Sequence, residues 1–79
     1  MHIDSKDVPQ KLNGYPVIAY SIHPKCVTVM VKREDDPMPF VSATWWKDLK
    51  SNWMWGHYSK TIEDAKLDFE EIKERNQLR

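Results

Sequence analysis

The chain has 79 residues, with 12 Lys or Arg balanced by 12 Asp or Glu. That balance excludes the basic excess of a general nucleic-acid binder and the acidic excess of a nucleic-acid mimic. The one cysteine, Cys26, excludes an intrachain disulfide and any cysteine framework of the secreted kind.

A chain of this length buries only about 60% of the surface its unfolded form exposes. Small domains often add disulfides, a metal or a second copy. Without disulfides, a core rich in large side chains, or a homodimer, is expected. The apolar content of 41% favours a folded domain over a disordered one. No apolar run approaches the ~18 residues of a membrane span. The start, M-H-I-D-S-K-D, carries acidic residues where a signal peptide has an apolar stretch. A cytoplasmic location away from membranes is the expectation. Residues 1–60 carry eight basic and six acidic groups, and residues 61–79 carry four and six. This mild segregation fits an acidic surface helix at the C-terminal end.

The whole chain, 1–79, reads as one small domain. Residues 1–14 form an N-terminal arm. Within it Asp7 suits an N-cap, Pro9 a first helical turn, and Asn13-Gly14 a left-handed stop, so a short helix over about 8–13 is expected. An irregular arm crossing the core is the alternative. Residues 15–58 form the sheet. The run Y-P-V-I-A-Y-S-I (15–22) is β-branched and aromatic, with Pro16 at the strand's start or on an edge. His23-Pro24-Lys25 makes a tight connection. Residues 26–33 form the clearest strand, with Val27, Val29 and Val31 on one face and Cys26, Thr28, Met30 and Lys32 on the other. The charged run 34–37 turns the chain.

Residues 38–46 form a third strand. Val41, Ala43 and Trp45 share one face; Phe40, Ser42, Thr44 and Trp46 share the other. Residues 53–58 form a short fourth strand in which Gly56 marks a bulge or a close backbone approach. Segment 61–77 is a helix, with Thr61 and Asp64 resembling a capping box. Ile62, Ala65, Phe69 and Ile72 fall within about 80° of one another and should pack on the sheet. The fold class is therefore α+β: two layers, an antiparallel meander of three or four strands, and one C-terminal helix on one face.

One helix covers one face of such a sheet. The other face must be wet, covered by the arm, or paired with something, and neither face is convincingly polar. The window 45–58 holds all four tryptophans, together with His57 and Tyr58. Trp45 and Trp46 must point opposite ways, so at least one large aromatic lies outside the helix-covered core. Trp53 and Trp55 point the same way if their segment is extended. Exposed apolar patches on small proteins mark contact sites, and tryptophan and tyrosine dominate binding hot spots. A tryptophan in a chain without disulfides equally serves as core.

The functional expectation is a non-enzymatic interaction or regulatory domain. It binds a protein partner, or a second copy of itself, through Trp46, Trp53, Trp55, His57 and Tyr58, with Lys47 and Lys50 on the rim. Small neutral domains of this kind suit accessory proteins such as those phages and plasmids carry. The alternative is single-stranded nucleic acid stacked on an aromatic sheet face. No catalytic residue, cofactor or metal is expected. Cys26 with His23 or His57 lacks an orienting third group and an oxyanion site. One cysteine and three scattered histidines, His2 among them, do not make a zinc site.

Overall fold

The computed structural model describes residues 3–78. They form a curled, five-stranded antiparallel sheet with one C-terminal helix packed on it. The strands are β1 (Lys11–Leu12), β2 (Tyr15–Ile22), β3 (Val27–Lys32), β4 (Phe40–Trp45) and β5 (Met54–Ser59), and the helix is α1 (Ile62–Gln77). Strand order in space follows the sequence. The α+β class matches the sequence expectation, but the strand count is five.

The additional strand is β1, where a short helix over 8–13 was expected. Asn13 (φ 53°) and Gly14 (φ 84°) both adopt left-handed backbone. Two consecutive positive φ values make the hairpin turn whose twist matches flanking strands. Leu12 consequently pairs with Tyr15 and is fully buried. The helical turn lies earlier, a single 3-10 turn at Ser5–Asp7. Asp4 caps it by accepting the Ser5 N–H (2.8 Å), and Asp7 accepts the Asp4 N–H (3.0 Å) in return.

The two faces of the sheet are covered differently. In the β3–β4 register Val27 lies opposite Trp45, Val29 opposite Ala43 and Val31 opposite Val41. With Leu12 these residues form one buried apolar cluster. Ile3, Val8, Tyr15, Val17, Leu49 and Trp53 pack around it. The arm and the sheet's own curl therefore cover the valine face. A hydrogen bond from Asn13 N–H to the Ser51 carbonyl (2.7 Å) ties the β1–β2 turn to the loop before β5.

The helix takes the opposite face, where Thr28 lies across from Thr44 and Met30 across from Ser42. Its buried residues are Ala65, Ile72 and Asn76. Ala65 is small enough for the helix to approach the strand closely, and the Ser42 hydroxyl donates to its carbonyl (3.0 Å). Asn76 supplies donors to both threonine hydroxyls, at 2.8 and 3.1 Å. Thr61 caps the helix as expected, accepting the Asp64 N–H at 3.2 Å. No helix among the described residues is long and apolar enough to cross a membrane.

Candidate functional site

The adjacent indoles of Trp45 and Trp46 diverge. Trp45 enters the valine core, 4% exposed, and its Nε1 donates to the Lys50 carbonyl at 2.9 Å. The loop that presents this carbonyl contains a 3-10 turn, Lys47–Leu49, and ends with Lys50 at φ 56°. Trp46 leaves the sheet half-buried and meets Trp55, their ring centroids 5.5 Å apart and their planes tilted by 44°. Offset, tilted aromatic pairs of this kind are favourable beyond the area they bury.

Trp55 is 53% exposed. Its φ of 56° puts a bulky residue in a region that residues other than glycine seldom occupy. The β4–β5 register slips there, between Ser42 and Thr44. This irregularity breaks the alternation of β5, so Trp53 and Trp55 do not share an environment as a regular extended strand requires. Trp53 packs against the valine core and lies against Gly56, while Trp55 faces outward. The close approach expected at Gly56 is present, and the group it accommodates is the Trp53 indole.

Trp46 and Trp55 share a shallow hollow of about 270 Å3 with Lys25, Cys26 and Thr44. Lys25 and Trp46 also border a neighbouring hollow of about 320 Å3, next to Ile3, Lys47 and Asp48. Both are open surface depressions able to seat an apolar or aromatic side chain beside a lysine ammonium.

The remaining candidates separate from this pair. Tyr58 is exposed, with the Arg33 guanidinium over its ring at 4.8 Å. Arg33 is itself oriented by Asp36 (3.2 Å) and by the Met38 carbonyl (3.0 Å). His57 is half-buried opposite Ser42. Lys47 pairs with Asp7 at 3.3 Å and so pins the arm to the loop after β4. The Asp4 N–H and then the Lys47 ammonium hold the Asp7 carboxyl below its usual value. Lys50 contributes its carbonyl to Trp45. Of the expected aromatic cluster, the structure brings Trp46 and Trp55 together, assigns Trp53 to the core's edge and puts Tyr58 with Arg33.

A polar constellation beneath the helix was not foreseen. His23 is buried, and its Nε2 lies 2.8 Å from Thr28 Oγ1. Thr28 Oγ1 accepts from Asn76, which also bonds Thr44. Desolvation, and then the charge of Lys73, lower the His23 pKa from 6.5. Both effects favour the neutral imidazole, whose contact with Thr28 ties the β2–β3 turn to the sheet. A sequence signal for Asn76 exists: it continues the Ala65, Phe69, Ile72 row by one further turn. Among the described residues, no three His, Cys, Asp or Glu side chains converge to hold a metal ion. His2 lies outside the described residues.

Comparison with known proteins returns no match: no family model, no curated protein and no solved structure resembles the chain.

Proposed function

We propose that the chain is a non-enzymatic interaction domain that binds a protein partner through the Trp46–Trp55 pair. The observation that carries this reading is Trp55 itself: half-exposed, against a second indole, on a left-handed backbone. A left-handed bulky residue costs roughly 1–2 kcal/mol. Such conformations cluster at functional sites. About half of the indole stays open to solvent, which leaves that surface available to a partner. Lys25 lies on the rim of both hollows, and Lys47 on the rim of one. A complementary partner presents an apolar or aromatic anchor with an acidic neighbour.

The test is affinity capture from nuclease-treated extract with wild type, Trp55→Ala and Trp46→Ala in parallel. A protein retained by wild type and lost by both variants supports the reading, provided both variants melt cooperatively. Equal retention by all three overturns it. Fluorescence anisotropy with a mixed-sequence single-stranded oligonucleotide at low salt addresses the stacking alternative. Binding there that falls steeply with added salt and is lost in Trp55→Ala would put nucleic acid in the partner's place.

A further inference from the structure

β2 is paired on its outer side only at its start. Lys11 and Leu12 lie opposite Pro16 and Tyr15, and the Val17 N–H reaches the Gln10 carbonyl at 2.9 Å. Beyond Val17, no strand among the described residues lies against that edge. The direction of its backbone groups follows from the next hairpin. The His23 N–H bonds the Cys26 carbonyl at 2.8 Å. Hydrogen-bonded and non-bonded pairs alternate along an antiparallel ladder. Ile22–Val27 is then a non-bonded pair, Ser21–Thr28 a bonded one and Tyr20–Val29 non-bonded. The N–H and C=O groups of Tyr20 and Ile22 therefore point away from β3, out of the sheet.

The side chains along this edge are apolar and partly exposed, and the arm, Lys6 included, borders the hollow beside Val17 and Tyr20. Ile18 is 45% exposed, Tyr20 48% and Ile22 37%. No charged residue occurs between Lys11 and Lys25, although charge is a common guard on a strand edge.

We propose that this edge pairs with the same edge of a second copy, β2 antiparallel to β2, about a two-fold axis at Tyr20. Self-association across a two-fold axis requires a surface complementary to itself. The sequence I-A-Y-S-I (18–22) has that property. Tyr20 meets its own counterpart and Ala19 meets the second copy's Ser21, while Ile18, at the register slip between Val17 and Ala19, packs beside the second copy's Ile22 outside the regular ladder. With the axis at Tyr20, whose N–H and C=O point outward, Tyr20 and its counterpart form a hydrogen-bonded pair. The pairing joins two curled sheets into one continuous sheet.

Contact area sets the strength. An aromatic side chain buries ~150–250 Å2 in full; three side chains about half exposed offer a few hundred Å2 per chain. A standard interface takes about 800 Å2 from each partner. The dimer is therefore reversible and concentration-dependent. It is also independent of the Trp46–Trp55 surface, because β3 and β4 separate β2 from β5.

Sedimentation velocity of the full chain from micromolar to millimolar concentration tests the pairing, with amide exchange read on the same samples. The weight-average mass should rise from one chain toward two. The Tyr20 and Ile22 amides should gain protection with concentration, while the inward Ser21 amide is protected throughout. Tyr20→Lys sets like charges against each other on the axis and should leave a monomer with an unchanged melting temperature. Ile22→Lys, away from the axis, serves if Tyr20→Lys does not fold. A wild-type chain still monomeric at millimolar concentration overturns the proposal. So does a dimer that survives the lysine substitutions, or one abolished by Trp55→Ala and not by them.

Discussion

The indole of Trp53 lies directly against the backbone of Gly56. A Cβ at position 56 would sit 3.1 Å from Trp53 Nε1 and 3.2 Å from Val41 Cγ1. The backbone of Gly56 has no positive φ, so space alone demands glycine here. Overpacking costs about 1–3 kcal/mol, offset by about 0.4–1 kcal/mol from a stiffer unfolded chain. Gly56→Ala is therefore expected to destabilise by about 1 kcal/mol. For a chain of this size that lowers Tm by roughly 4–8 °C, measurable by thermal melting. A melting temperature equal to or above wild type would falsify this packing argument.

Trp45 and Trp55 should respond in opposite ways to truncation. Trp45 is core and donates to the Lys50 carbonyl, so Trp45→Ala is expected to cost about 3–5 kcal/mol. Trp55→Ala loses a ring pair worth about 0.5–1.5 kcal/mol and retains its left-handed backbone. Trp55→Gly also relieves roughly 1–2 kcal/mol of strain, so its stability should lie within about 1 kcal/mol of wild type. Urea denaturation orders the three variants. Acrylamide quenching of wild type should show one strongly accessible tryptophan population that is missing from both Trp55 variants.

His23 makes stability depend on pH. Its folded pKa lies below the ordinary 6.5 because burial and then Lys73 disfavour the charged ring. Below pH 6.5 the unfolded chain binds a proton that the folded chain does not, so stability rises with pH in this range. The contribution is complete above 6.5 and declines as pH falls toward the folded pKa. His23→Gln removes the titration and keeps a side chain able to bond Thr28. Melting temperature between pH 7.5 and 5.5 should fall for wild type, with a shallower slope for His23→Gln. Parallel slopes would exclude His23 as the source.

Asn76 is the polar end of the helix's buried row. Its amide bonds both Thr28 and Thr44, so truncation leaves the buried Thr44 hydroxyl short of a partner and Thr28 with His23 alone. A buried group left short of a partner costs about 1–3 kcal/mol. Asn76→Ala is expected to lose about 2–4 kcal/mol in urea denaturation, well beyond the effect of alanine at a solvent-facing helix position such as Gln77. A loss below about 1 kcal/mol would mean that water replaces the amide.

The residues explain which features could be read in advance. The valine alternation of β3 and the Thr61 cap are local patterns, and both are present in the structure. Asn13-Gly14 was ambiguous because a helix stop and a tight hairpin both use left-handed residues. Only the pairing of Leu12 with Tyr15, and the core waiting for Leu12, selects the hairpin. Which face the helix covers was illegible for a similar reason. Hydrophobicity alone favours the valines, but the arm and the curl claim that face first. The direction of Trp55 depends on one positive φ at a register slip, which no periodicity encodes. Trp46 is legible as the indole opposite Trp45; its pairing with Trp55 is not.

The helix rests on a bed of hydroxyls. Thr28, Ser42 and Thr44 beneath it can be satisfied by water as well as by Asn76 and Ala65. Undocking α1 therefore uncovers a surface that rehydrates readily, whereas opening the valine side uncovers grease. Local opening is therefore expected to begin on the helix side. Hydrogen exchange should reach the α1 amides before those of β3 and β4, with the sheet retained while the helix is away.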